Sequence, residues 1–308
     1  AIDKGLEGVV ACSTAVSSII GNTLNFRGYT IEDLAEKSTF EEVTFLLWND
    51  RMPSADELKS FRQKLVGEMT LSPEFMTALK AMPTKGVHPM AWLRSAVSLM
   101  AHFDPDANDM SVEANQRKAV RMTAKMGSIV CAFEAIRNGK TPVAPKPDAT
   151  VAWNFMYMLK GVEPKTEHVK IFDTCLILHA DHELNCSAFA TRVTASSLSD
   201  SYSAIVSAIG ALKGPLHGGA NEQVILMLKK IGTIEKAQQF VKDALSAKEK
   251  VMGIGHRVYK DGDPRAAILR KISQKLTKEI GEPQWYDMSI LIDDTMNKEK
   301  GLMPNVDF

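Results

Sequence analysis

Three short stretches put histidines where chemistry could be done. GPLHGGANE, residues 214–222, sets His217 in a loop: Pro215 stiffens the approach, Gly218 and Gly219 carry no side chain to block a ligand nearing the backbone, and a helix-like run, QVILMLKKI, follows. Unpaired N–H groups and the positive dipole end at a helix N-terminus favour a neutral imidazole, which suits donation to a developing oxyanion. The same residue reads equally well as a turn histidine satisfied by backbone. VMGIGHRVYKDGDPR, residues 251–265, sets His256 behind Gly253 and Gly255 and ahead of Arg257, Lys260 and Arg265. Glycines permit close approach of a flat or bulky ligand, and the three cations can hold carboxylates or phosphates. Taken alone, KDGDPR also reads as a turn of solvated charges, and its GxG lacks the strand context of a dinucleotide fingerprint. HADHELN, residues 179–185, places His179, His182 and Asn185 at helical spacing on one face. No HExxH and no closed set of metal ligands accompanies them, so no metal is expected. Apolar flanks on more than one face predict that this helix is central, and a polar cluster there needs either a hydrogen-bonded core network or a ligand.

The elements that must hold these stretches are mostly helical. STFEEVTFLLWND pairs Ser38 or Thr39 with Glu41 or Glu42 in a capping-box pattern, and Ser54 with Glu57 repeats it ahead of a stripe of Leu58, Phe61 and Leu65. HPMAWLRSAVSLMAHF, the long VEANQRKAVRMTAKMGSIVCAFEAIRNG and most of residues 165–198 predict further helices. Only GLEGVVACST and TLNFRGYT predict short strands, and VAPKPD, 143–148, predicts a linker. Glycine and proline become dense near residue 214, which suggests a lobe boundary there.

Composition bounds the function classes. The chain has 308 residues, and its 37 Lys plus Arg balance 37 Asp plus Glu, so no global charge draws it to nucleic acid or an anionic membrane. Cys12, Cys131, Cys175 and Cys186 show no CxxC or metal spacing and read as reduced thiols. With no run of the length a membrane span needs and no secretory pattern in AIDKGLEGVV, the expected location is cytoplasmic.

GPLHGGANE, MGIGHRVYKDGDPR, LHADHELN and the terminal PNVDF, supported by GLEGVV, RGYTIEDLAE and HPM, together resemble the citrate synthase family over nearly the whole chain. The resemblance implies an all-α, two-domain fold with a few short N-terminal strands: a large domain over 1–216 and a small domain over 217–308. It implies condensation of oxaloacetate with acetyl-CoA to citrate and free CoA, with no cofactor beyond the acetyl-CoA substrate, in a homodimer. Asp307 is then similar to the family's general base. His217 would donate to the thioester oxygen, His256 to the ketone oxygen of oxaloacetate, and His182 and Arg265 would orient oxaloacetate. Val251 and Gly253 would offer backbone groups to the adenine, with Arg257 and Lys260 on the phosphates; Lys248 and Lys250 are as basic and as near. Family members continue beyond PNVDF with further substrate-binding arginines, one from the partner subunit, so the 308-residue chain reads as a fragment of reduced activity. A 2-methylcitrate synthase using propionyl-CoA, a ligand-binding relative without catalysis, and a metal-dependent hydrolase on HADHE are the alternatives.

Overall fold

The computed structural model describes residues 9–308. Strands β1 (Ser17–Ile20), β2 (Thr23–Phe26) and β3 (Tyr29–Thr30) form one antiparallel meander. TLNFRGYT supplies β2 and β3, reversing at Arg27 and Gly28, both left-handed. The strand expected in GLEGVVACST is displaced: residues 5–8 lie outside the described residues, and 9–14 carry no strand. The tight turn at Gly21 and Asn22 decides this, because it pairs Ile20 with Thr23 and Ser17 with Phe26, so the ladder can only occupy 17–20.

Helices follow. They are α1 (Ile31–Lys37), α2 (Phe40–Asn49), α3 (Ala55–Gly67), α4 (Pro73–Ala81), α5 (Pro89–Met100), α6 (Val112–Arg137), α7 (Val151–Lys160), α8 (Thr166–Leu178) and α9 (Cys186–Ser196). The chain continues through α10 (Ser201–Leu212), α11 (Ala220–Ile231), α12 (Ile234–Ser246), α13 (Pro264–Glu279) and α14 (Gln284–Lys300). Both capping boxes form as the sequence predicts, Thr39 with Glu42 and Ser54 with Glu57. The 143–148 linker is pinned by buried Asn154, whose amide oxygen accepts from Lys146 N at 2.7 Å and whose amide nitrogen donates to Lys146 O at 3.0 Å.

One expectation fails instructively. Residues 165–198 are two helices, and HADHELN is the break between them. His179 ends α8 and Asn185 caps α9, its side chain accepting from Ala188 N at 3.0 Å. Between them the chain docks on β1: Ser17 Oγ donates to the Asp181 carboxylate, Glu183 N donates to Ser17 Oγ at 2.7 Å, and Ile19 N donates to Glu183 Oε1 at 3.1 Å. Those bonds hold Glu183 left-handed, at φ 51°, and outcompete helical ones. Nor is α9 central, since none of its residues is fully buried.

The core divides into several clusters. One joins the strands, α1, α2 and α8 through Leu24, Phe26, Ile31, Val43 and Ile177; another joins α4, α5, α6 and α10 around Trp92 and Tyr202. A third lies between α2, α3, α6 and α7. A fourth is built only from residues beyond 220: Val224, Leu228, Val241, Val251, Ile292 and Met296, with Phe308 packed against them. α13 ties this last body to the first, because its Ile268 and Leu269 pack into the strand cluster.

At the α2–α8 contact sit two neighbouring carboxyls, Glu41 buried and Asp173 half-buried. Glu41 is fully buried, accepts from Val151 N at 2.9 Å and has Arg62 at 3.9 Å. Asp173 accepts from Phe40 N at the start of α2, and burial together with the Glu41 charge pushes its carboxyl up to about 6. A carboxyl raised in the fold favours folding while protonated, and its ionisation withdraws that support as pH rises from the unfolded value through about 6. Asp173→Asn, which keeps an oxygen for Phe40 N, is therefore expected to raise the thermal midpoint at pH 7.5 by a few degrees and to change it little at pH 4. Scanning calorimetry at the two pH values checks the difference.

Candidate active site

The site is assembled around a carboxylate that the sequence alone presents as a solvated turn residue. Asp263 precedes Pro264 at the first position of α13, an N-cap arrangement legible in DPR. Its side chain is fully buried and accepts four N–H groups. Arg265 N and Nε reach one oxygen at 3.0 Å each; Arg265 Nη2 at 2.8 Å and Val306 N at 3.1 Å reach the other. The buried Arg265 guanidinium is thus paired side-on to Asp263, while Lys260 and Asp261 are exposed, as a solvated turn would have them.

Val306 belongs to the PNVDF segment, which is laid along the His256 loop. Gly255 N donates to Met303 O at 2.7 Å, Asn305 N to Gly253 O at 2.9 Å, and Asn305 Nδ2 to Gly255 O at 2.8 Å. Gly253, at φ 78°, could not carry a side chain: a Cβ there would stand 2.7 Å from Val224 Cγ2 and 2.9 Å from Phe308 Cβ. The glycine makes room for the protein's own Phe308, and the Gly253 carbonyl is taken by Asn305. Val251 is buried in the fourth core cluster, whereas Arg257 and Lys260 are exposed. Asp307, next to Val306, has its carboxyl raised by burial and pulled back by the His179 and Arg265 charges.

His256 and His182 meet over Tyr259. The ring centroids of His182 and His256 are 5.3 Å apart, and Tyr259 lies 4.7 Å from His256 and 5.5 Å from His182. His256 Nδ1 accepts from Val258 N at 3.0 Å and Tyr259 N at 3.2 Å, so the neutral ring carries its proton on Nε2 and can donate from that atom only. Burial holds His256 below the usual imidazole range, and burial with the neighbouring Arg265 charge pushes His182 down to about 4. Both rings are neutral at pH 7.

His217 stands apart. It makes no hydrogen bond or ring contact with His182, His256 or Asp307; its Nε2 lies 2.7 Å from Ser187 Oγ, at the start of α9, and Ser187 Oγ also reaches Ala208 O at 3.1 Å. Burial lowers its titration. The direction is the one expected from sequence, and its cause here is desolvation. Gly218 and Gly219 also have a packing role. A Cβ on Gly218 would meet Leu212 Cδ1 at 2.3 Å, and one on Gly219 would meet Lys213 O at 2.6 Å, so the glycines let the loop fold tightly onto the end of α10.

A cavity of about 360 Å³ between α13, α14 and residues 303–308 is lined by Asp263 and Asp307 but by none of the three histidines. Among the described residues, no three His, Cys, Asp or Glu side chains gather as metal ligands. Ser187, Tyr259, Asp263 and Asn305 were missed from sequence. Only the N-cap pattern at Asp263 offered a signal; the others depend on contacts between distant segments.

The profile of the family described as "Citrate synthase, C-terminal domain" matches residues 5–308. The chain is 52% identical to Citrate synthase 2 of Bacillus subtilis (strain 168) over 305 residues, 99% of this chain and 82% of that protein. It is 39% identical to a 2-methylcitrate synthase of Mycobacterium tuberculosis over 309 residues, 100% of this chain and 78% of that one. Among solved structures, the ternary complex of Thermoplasma acidophilum citrate synthase with carboxymethyl coenzyme A and oxaloacetate is similar with a TM-score of 0.93. It shares 31% identity, covering 100% of this chain and 82% of that chain.

Removing the Asp263 carboxylate leaves Arg265 buried without a counter-charge and frees Val306. Asp263→Ala is expected to destabilise the protein by ~3–5 kcal/mol in urea unfolding. Limited proteolysis should then cut within 303–308 before any other site; a loss below ~1 kcal/mol with the segment still protected would contradict this account of Asp263.

Proposed function

The chain belongs to the citrate synthase family, and on that premise we propose that it condenses oxaloacetate with acetyl-CoA and hydrolyses citryl-CoA to citrate and CoA. The observation that carries the reading is the grouping of two neutral histidines and a buried arginine beside a raised carboxylate. The methyl proton of acetyl-CoA is weakly acidic, so a base must act together with a donor that stabilises the oxyanion. Asp307 is the base. His217 serves the thioester oxygen from Nδ1, which requires the Ser187 hydroxyl to turn its single proton from Ala208 O, where it donates in this structure, to His217 Nε2. His256, fixed as the Nε2–H tautomer, donates to the oxaloacetate ketone and receives charge as the carbon–carbon bond closes. Arg265, already half-engaged by Asp263, offers its remaining N–H groups to a substrate carboxylate, and His182 helps orient the same substrate.

The CoA phosphates are assigned to Arg257 and Lys260, whose exposure supports that role and which Lys248 and Lys250 match on charge alone, and the adenine to the backbone of the Val251–Gly253 loop apart from the Gly253 carbonyl, which Asn305 occupies. The reaction uses no metal or redox group in this reading. Residues 1–216 form the large domain and 217–308 the small one, with oxaloacetate in the cleft between them. Closure of the small domain then gives ordered binding, oxaloacetate first. Exposed Val193 on α9, Leu198 in the turn after it and Leu216 in the loop after α10 are apolar side chains whose cover by a second copy supports a homodimer. No described helix is long and apolar enough to cross a membrane. That, with the unpaired cysteines, supports a cytoplasmic enzyme.

The test is oxaloacetate-dependent release of CoA. Acetyl-CoA is expected to be used faster than propionyl-CoA; the opposite order makes the protein a 2-methylcitrate synthase, a difference of one methylene worth about 1–3 kcal/mol. His217→Ala, His256→Ala and Asp307→Asn should each lower kcat by roughly 10²–10⁴. Because the base must be ionised and the donors neutral, the rate should fall as pH drops, since protonation of Asp307 and of His217 and His256 each removes a required form. Release of CoA without oxaloacetate would overturn the assignment.

A further inference from the structure

His256 has its proton placed by two backbone amides, but no backbone N–H does this for His182. Its Nε2 meets one partner among the described residues, the Tyr259 hydroxyl at 3.1 Å. Tyr259 is buried, with burial pushing its phenol up so that it stays protonated, and among the described residues that hydroxyl meets no other partner. A buried O–H that finds no acceptor costs about as much as a lost hydrogen bond. The phenol is satisfied only if it donates to a lone pair on Nε2, which moves the one proton of neutral His182 to Nδ1.

Resting on the citrate synthase reading, we propose that Tyr259 is a positioning residue for oxaloacetate: its hydroxyl fixes His182 as the Nδ1–H tautomer, while its ring and backbone N–H brace His256. The two histidines then present their protons through different nitrogens, Nδ1 from His182 and Nε2 from His256. Such a pair can serve two different substrate oxygens without competing for one. The backbone amides of Val258 and Tyr259 order His256 and the Tyr259 side chain orders His182, so a single residue sets both. His182 sits in a loop with a left-handed neighbour and no helix to hold it, which is why a side chain from 77 positions away takes on that task.

Tyr259→Phe isolates the hydroxyl, because the ring can still pack on both imidazoles. In the free protein, imidazole ¹⁵N shifts should show His182 Nε2 as pyridine-type in the wild type and as a mixture of tautomers in Y259F, with His256 unchanged. The KM for oxaloacetate should rise roughly tenfold with kcat for bound substrate much less affected, the size expected for one net hydrogen bond. Identical His182 shifts in the two proteins, or a KM that does not move, overturns the proposal, and so does a kcat loss with KM intact. A wild type whose thermal stability does not respond to oxaloacetate overturns the functional reading itself, while the nitrogen shifts test the tautomer independently of any substrate.

Discussion

The buried ion pair between Asp263 and Arg265 is the constraint on which the rest of the site depends. A carboxylate taken out of water is costly unless its lone pairs are filled, and four N–H groups fill them here. Two of those donors come from the guanidinium, so the arginine keeps a fixed plane and presents only its remaining edge. One donor is the α13 backbone, which starts that helix, and one is Val306, which brings Asp307 alongside. Because α13 also buries Ile268 and Leu269 against the strand cluster, the same few residues connect the histidine loop to the body of the protein.

Proton placement is the second constraint, and burial governs it. His182, His217 and His256 are all lowered first by desolvation, and Asp307 is raised by the same cause. One physical effect therefore prepares neutral donors and a more basic carboxylate together. The hydrogen bonds then choose atoms: backbone amides on His256 Nδ1, a phenol on His182 Nε2, a serine on His217 Nε2. His217 lies on a separate loop, bonded to α9 through Ser187.

Much was legible in the residues because it is local. Thr39 with Glu42 and Ser54 with Glu57 satisfy helix N-termini within one turn, so the pattern and the structure coincide. The loop character of GPLHGGANE and of residues 251–263 followed from glycine and proline in the same way. What local reading leaves unnamed is the neighbour. Gly218, Gly219 and Gly253 carry no side chain, and the space they leave is filled by Leu212, Lys213 O, Val224 and Phe308. Turn chemistry announces that a side chain is excluded without saying which neighbour excludes it.

The sequence by itself determined the helical class, the starts of α2, α3, α5, α6 and α8, the histidines and the Asp307 carboxylate, since these rest on residue type and on spacing within a few positions. Only the tertiary structure decided that HADHELN is a break, that Asp263 is a buried hub, and that the His256 proton sits on Nε2. The first two of those outcomes are a competition between local hydrogen bonds and partners that stand far away in the chain, Ser17 for Asp181 and Val306 for Asp263. Spacing along a chain carries no term for such partners, and their energy decides the result.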